Sequence, residues 1–433
     1  MSPLEIGIIF VILLFVLLAA SLPVAFSMTF VGFLGFALII NWPASVSMVT
    51  TEIYETFMQY NLTVVPLFVL MGQVAFHAGI SKRLFDAAYR WLGHLPGGLA
   101  ISTIGACTAF GAICGSGPAT AATMASVALP EMKRYNYSSQ LSCGSVASGG
   151  GLGMLIPPSV VFIVYALLTE QSIGQLFVAG IMPGLLIAGL FVLTIIIQCM
   201  LKPELGPPGP VSTWRERFRS LSGLIETLLL FAAVMLGMFM GLFSPTEAAA
   251  VGAGGSLIIA AVRGKLTFRM LHRSLLETLR TSCMVMFVVA GAVIFGRFLA
   301  VTRIPFELAN WLIGLSVPGW MVMGLIIAFY LAAGSFIDAL ALVLLTIPIF
   351  YPVVIQLGFD PIWFGVIIVV VTQMGVITPP VGVNVYVVSG IERDVPLQTI
   401  FRGSMPFLLA LIVAAAILVI FPQISTWLPA MVR

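Results

Sequence analysis

Long stretches of this chain contain no Asp, Glu, Lys or Arg, among them Ile6 to Thr51, Gly97 to Pro130, Ser138 to Thr169, Gln171 to Leu201, Thr227 to Thr246, Leu308 to Ile337 and Gly403 to Val432. A spanning helix needs about 20 mostly apolar residues, because it rises 1.5 Å per residue through roughly 30 Å of hydrocarbon. Most of the stretches meet that length, and some hold two passes. The charged fraction is 8%, against about 25% in an ordinary soluble domain. A soluble core has no use for so much apolar sequence, so the chain reads as an all-α polytopic membrane protein.

The start, Met1-Ser2-Pro3-Leu4-Glu5, lacks the basic patch of a secretory signal, and the apolar run behind it exceeds signal-peptide length, so it reads as a retained first helix. Cys107, Cys114, Cys143, Cys199 and Cys283 lie in or beside apolar segments without metal-type spacing and read as packed free thiols. A net charge of +3 with no basic run in a soluble region argues against nucleic-acid binding.

Basic loops stay on the cytoplasmic side of a membrane and thereby thread the chain. Nothing before Lys82 is basic and the Glu52/Glu55 loop is acidic, so both start outside; Lys82, Arg83 and Arg90 mark the first inner loop. The segment from Gly97 to Pro130, interrupted at Gly115-Ser116-Gly117-Pro118, leads to Lys133 and Arg134, also inside. Each arm is short enough for a re-entrant hairpin as well as for two short spans. The segment from Trp320 to Pro352, broken at Gly334-Ser335-Phe336, starts and ends outside and forms a second hairpin of opposite orientation. This path leaves only Arg297, Arg303 and Arg433 of the 19 basic residues outside.

The two hairpins belong to an internal repeat. After the first comes Pro130, then a broken helix at Gly149-Gly150-Gly151-Leu152-Gly153-Met154-Leu155-Ile156-Pro157-Pro158-Ser159. After the second comes Pro348, then Gln373-Met374-Gly375-Val376-Ile377-Thr378-Pro379-Pro380. In each copy a Gly stands four residues before a Pro-Pro pair. Inverted repeats of this kind define many secondary carriers and bring broken helices to the bilayer midplane. Pro-Pro and Gly clusters also kink membrane helices at large; the matching of both halves favours the repeat.

Unwound backbone in lipid needs partners, and ions or substrate supply them. Sodium prefers hard oxygens. One sodium site is expected from Gly115, Ser116, Thr120, Gly151 and Gly153, and a second from Gly334, Thr372, Gly375 and Thr378. Free N–H groups at helix starts can face an anion, with Ser116, Ser159 and Asn384 beside them. For each Ser or Thr, a helix–helix hydrogen bond is the competing role. Asp338 is the only charged residue between Glu307 and Asp360 and sits mid-hairpin, so it is expected to bind a cation or meet the substrate. Glu247 reads as the cap of a helix start. His77, His94 and His272 are scattered, which speaks against a metal centre. Arg297 and Arg303 suit either anion attraction or solvated helix ends.

Gly115-Ser116-Gly117-Pro118-Ala119-Thr120, Gly153-Met154-Leu155-Ile156-Pro157-Pro158-Ser159, Ser244-Pro245-Thr246-Glu247-Ala248-Ala249-Ala250 and Gly375-Val376-Ile377-Thr378-Pro379-Pro380 resemble the large membrane subunit of tripartite ATP-independent periplasmic (TRAP) transporters. The resemblance covers essentially the whole chain, with Gly117 where some relatives carry Ser. It implies sodium-coupled uptake of a small carboxylate or sulfonate across the bacterial inner membrane, with the N-terminus periplasmic. It also implies an elevator, in which a transport domain slides against a scaffold. The expected partition is 1–96 scaffold and first cytoplasmic connector, 97–170 first transport repeat, 171–318 scaffold, 319–391 second transport repeat and 392–433 C-terminal helix. Implied partners are a small four-helix membrane subunit, unfused here, and a soluble periplasmic substrate-binding protein. No nucleotide is expected: Gly264-Lys265 is followed by Leu266, not by the Ser or Thr of a phosphate-binding loop. An intramembrane serine hydrolase is disfavoured, because a rhomboid-like G-x-S-G needs Gly where Cys114 stands. A stand-alone carrier with paired hairpins remains the alternative, and transport without a binding protein would favour it.

Overall fold

A computed structural model describes residues 2–20, 22–314 and 318–431, and every regular element among them is helical. Met1 and Arg433, two markers of the outer side in the threading above, lie outside the described residues. Among the described residues, eight helical stretches are long and apolar enough to cross a membrane, from Tyr60–His77 to Leu397–Ile420. The acidic segment near the start forms its own helix, Trp42–Met58, after Pro3–Ala19 and Val24–Ile39.

Both predicted hairpins are present as helix pairs. Gly98–Cys114 ends at Gly115, whose φ of +66° is the left-handed conformation that glycine adopts without a Cβ penalty, and Gly117–Arg134 begins two residues later. Gly319–Gly334 is followed by Ala339–Gln356, capped by Asp338. The first arms have 17 and 16 residues, short of the roughly 20 that a full crossing takes. Pro130 and Pro348 both lie inside the second arms rather than after them.

The broken helices differ in one respect from their sequence reading. Gly149 and Gly150 remain in regular helix, Ser139–Gly150, and after one further turn, Leu152–Leu155, the unwinding falls at Ile156-Pro157-Pro158. The glycines serve close approach instead: a Cβ on Gly150 would stand 2.6 Å from Ala121 Cβ, and one on Gly149 3.0 Å from Cys107 Sγ. In the second half, Pro361–Gly375 unwinds over residues 376–382 before Val383–Ile391.

The two halves interlock by exchange. The helix after the first break, Val160–Thr169, packs on the second arm of the second hairpin, and Val383–Ile391 packs on the second arm of the first. This is the contact pattern of two copies related by an approximate two-fold axis. Around them stand Val64–His77 and the two helices that pack on it, Pro245–Val262 and Phe268–Thr302.

The basic loops meet on one face. Arg83 pairs with Glu226 at 3.3 Å, Arg90 with Glu216 at 3.2 Å and Lys133 with Glu392 at 3.2 Å. These contacts join loops far apart in sequence that the charge pattern puts on the same side. Arg297, expected above either to attract anions or to be a solvated helix end, binds Glu52 at 2.6 Å; its own side chain is 58% exposed, whereas that of Glu52 is 10% exposed. Arg297→Gln leaves that carboxylate buried without its partner, and is expected to lower the unfolding temperature more than the Glu52→Gln/Arg297→Gln double substitution does. A double-mutant cycle read by thermal unfolding checks this; equal losses would mean the pair is solvated.

Of the thiols, Cys107, Cys143 and Cys199 are buried as expected, whereas Cys283 is exposed and Cys114 is half-buried. Glu247 closes a capping box: its carboxylate accepts from Ser244 N at 2.8 Å while its own N–H donates to Ser244 Oγ at 3.3 Å.

Candidate functional site

Each hairpin tip is tied to its broken helix by the same bond. The Gly115 carbonyl accepts from Val160 N at 3.3 Å, and the Ser335 carbonyl accepts from Gly382 N at 3.3 Å. Val160 and Gly382 both stand two residues beyond the Pro-Pro pair of their half. The repeat seen as a spacing of Gly and Pro is therefore also a repeat of hydrogen bonding.

Backbone contact seals each junction. A Cβ on Gly153 would stand 2.9 Å from Ser116 O and closer still to Thr120 Oγ1; a Cβ on Gly375 would stand 2.6 Å from Gly334 Cα. The residues read as a first ion site are thus gathered around Gly153. Thr120 is buried and its hydroxyl has no partner among the described residues. The Gly151 carbonyl is already engaged by Met154 N at 3.0 Å. In the second group, Gly334 and Gly375 touch; Thr372 and Thr378 donate their hydroxyls to Val369 O at 2.9 Å and Met374 O at 2.6 Å, which leaves oxygen lone pairs to accept or coordinate.

Between the tips and the neighbouring helices lies a cavity of about 410 Å³, within the range of small-molecule sites. Ser116 and Asp338 both line it. One Asp338 oxygen accepts from Leu340 N at 3.1 Å, so the carboxylate sits in the positive end of Ala339–Gln356. Ser159 and Asn384 do not line the cavity. Ser159 caps Val160–Thr169, accepting from Phe162 N at 3.4 Å and donating to Met154 O, and Asn384 Nδ2 donates to Ala147 O at 3.0 Å.

Three helix starts border the cavity, at Gly117, Val160 and Ala339, and no Lys or Arg is among its lining residues. Free N–H groups and aligned peptide dipoles make such starts a binding site for an anion. The opposite wall comes from Val69, Gly72, Gln73 and Phe76 and from Glu277, Thr281, Met284 and Val285. These are the portions of Val64–His77 and Phe268–Thr302 nearer the basic loops. Gln73, Glu277 and Thr281 escaped sequence reading, since nothing marks one face of an apolar helix as a cavity wall. Gln373 escaped it too, although it opens a quoted motif: it is 1% exposed and neither amide atom has a partner among the described residues.

Two hairpin tips, each tied to a helix break and both reaching one cavity, in a bundle of membrane-length helices, are the build of a multi-pass membrane transport protein. The family model of the tripartite ATP-independent periplasmic transporter, DctM component, matches residues 11–424, and the chain belongs to that family. It is 38% identical over 388 residues to the C4-dicarboxylate TRAP transporter large permease protein DctM of Pseudomonas aeruginosa, covering 89% of this chain and 90% of that one. It is 34% identical to the sialic acid TRAP transporter large permease protein SiaM of Vibrio cholerae, covering 95% and 96%. A longer relative, the isethionate TRAP transporter permease protein DctMQ of Oleidesulfovibrio alaskensis, is 35% identical, with 86% of this chain and 57% of that one covered. Among solved structures, the YdaH transporter of Alcanivorax borkumensis shares the fold with a TM-score of 0.64 at 16% identity, over 90% of each chain. MtrF of Neisseria gonorrhoeae does so with a TM-score of 0.57 at 13% identity, over 97% and 96%.

Proposed function

We propose that the chain is the translocating permease of a sodium-coupled, binding-protein-dependent carrier that takes a small organic anion into a bacterial cell across the inner membrane. The observation that carries this is the cavity ringed by three helix starts with Ser116 and Asp338 on its wall. It offers an anion N–H groups and dipoles without a basic side chain. The relatives named above point to carboxylate and sulfonate cargo: C4-dicarboxylate, sialic acid and isethionate.

Asp338 has the same sign as such a cargo, so it acts through a coupling cation or a substrate hydroxyl. Sodium is the cation, held at each tip by the oxygens gathered around Gly153 and Gly375. The two hairpins are re-entrant from opposite faces, with the basic loops cytoplasmic and the N-terminus periplasmic. The interlocked repeats move as one transport domain against Val64–His77 and Phe268–Thr302, an elevator that carries the cavity between the two sides. A small four-helix membrane subunit widens the scaffold, and a soluble periplasmic protein delivers the cargo.

Liposomes holding the chain and its small subunit test this. Uptake of candidate organic acids is expected only with an inward sodium gradient and the binding protein together. Uptake without the binding protein would make the chain a stand-alone carrier, and uptake indifferent to sodium would remove the coupling ion.

A further inference from the structure

Gln373 lies on the second broken helix but packs on the first. A Cβ on Gly151 would stand 3.5 Å from Gln373 Cγ and 3.6 Å from its Cδ. Oε1 and Nε2 are both buried without a partner among the described residues. Two further oxygens share that condition nearby: Ser148 Oγ, one turn before Gly151, and Asn384 Oδ1, whose amide nitrogen is anchored on Ala147 O at 3.0 Å. Residues 147, 148 and 151 lie within little more than one helical turn. A side chain from each of two elements of the second repeat therefore converges on one turn of the first.

Buried polar groups without partners are costly and uncommon, so several at one helical turn call for an occupant that the chain itself does not supply. Its chemistry can be read from the atoms. Three of the four are oxygens, and none belongs to a carboxylate. Divalent cations are held with the help of carboxylates; neutral oxygens alone suit a monovalent hard cation. We propose that Ser148 Oγ, Gln373 Oε1 and Asn384 Oδ1 form a further cation site, which takes one sodium ion where the two repeats cross. It rests on the sodium-coupled reading above and is separate from the two tip groups. Because its oxygens come from both repeats, its ion joins the two halves of the transport domain and links the occupancy of one tip to that of the other.

The test is thermal unfolding of the purified chain in detergent, followed by tryptophan fluorescence, as choline chloride is replaced by sodium chloride at constant ionic strength. The wild type is expected to be stabilised with a defined sodium midpoint and a Hill coefficient above one. Gln373→Leu keeps the volume but removes the oxygen, and is expected to raise the midpoint roughly tenfold or more and to lower the Hill coefficient. Gln373→Glu keeps an oxygen and is expected to restore the midpoint. Ser148→Ala provides a second, smaller change should Gln373→Leu fail to fold, with a raised midpoint again expected. A variant that loses stability equally in sodium and choline, with the midpoint unchanged, would show that only water fills the site and would overturn the proposal. A wild type with no sodium response would overturn the sodium reading itself, which is a distinguishable failure.

Discussion

Asp338→Asn is expected to fold like the wild type and to weaken sodium-driven uptake by roughly ten- to a hundredfold. The carboxylate has two separable roles. As the cap of Ala339–Gln356 it accepts from Leu340 N, and Asn caps a helix about as well as Asp. As a cavity wall residue it carries the only negative charge contributed by either hairpin tip. A charge-assisted contact is worth about 1.5–3 kcal/mol, or roughly ten- to a hundredfold in affinity, and Asn cannot supply it. Asp338→Ala removes both roles and is expected to lose about 1 kcal/mol of stability in addition. Sodium-gradient uptake in liposomes, beside thermal unfolding of both variants, separates the two. Wild-type uptake by Asp338→Asn would reduce Asp338 to a helix cap.

Much of the architecture was legible because polar events are rare in this chain and each one has a cause. The loops that meet through Arg83–Glu226, Arg90–Glu216 and Lys133–Glu392 are those that charge bias had put on one side. The hairpins and breaks were marked by Gly115, Gly334 and the two Pro-Pro pairs, since only such residues end a helix that apolar sequence would otherwise continue. The cavity wall was not legible. Lipid is as apolar as leucine, so hydropathy does not distinguish the face of a membrane helix that meets lipid from the face that meets protein. Gln73 and Thr281 therefore read as isolated polar residues. The contrast is Ile80–Leu92, where Ile80, Leu84, Phe85 and Ala87 are buried and Lys82, Asp86 and Arg90 are not, so that a water-facing side gives the pattern away. The misplaced unwinding has a related cause. A glycine run signals either a break or a close approach, and only the packing partners, Cys107 and Ala121 here, decide which.

Close approach sets the second large effect, an asymmetry between two glycines in one contact. A Cβ on Gly375 would stand 2.6 Å from both the Cα and the carbonyl oxygen of Gly334, which are backbone atoms with no rotamer to escape into. A Cβ on Gly334 would stand 3.3 Å from Gly375 Cα, close but within reach of a small adjustment. Gly375→Ala is therefore expected to push the second tip off its broken helix. The shift stretches the bonds from Val381 N and Gly382 N to Ser335 O, now 3.1 and 3.3 Å, and opens the second of the two sodium sites proposed above. Overpacking of this kind costs about 1–3 kcal/mol where neighbours yield, and backbone yields least, so the upper end is expected for Gly375→Ala and the lower end for Gly334→Ala. Uptake should fall further than stability alone explains, because the tip carries Asp338 with it. Thermal unfolding and sodium-driven uptake of the two variants, measured side by side, decide the matter. If Gly375→Ala matches Gly334→Ala in both, the tip is not seated on the break in the working protein, and the bond pattern shared by the two halves is not what holds the site together.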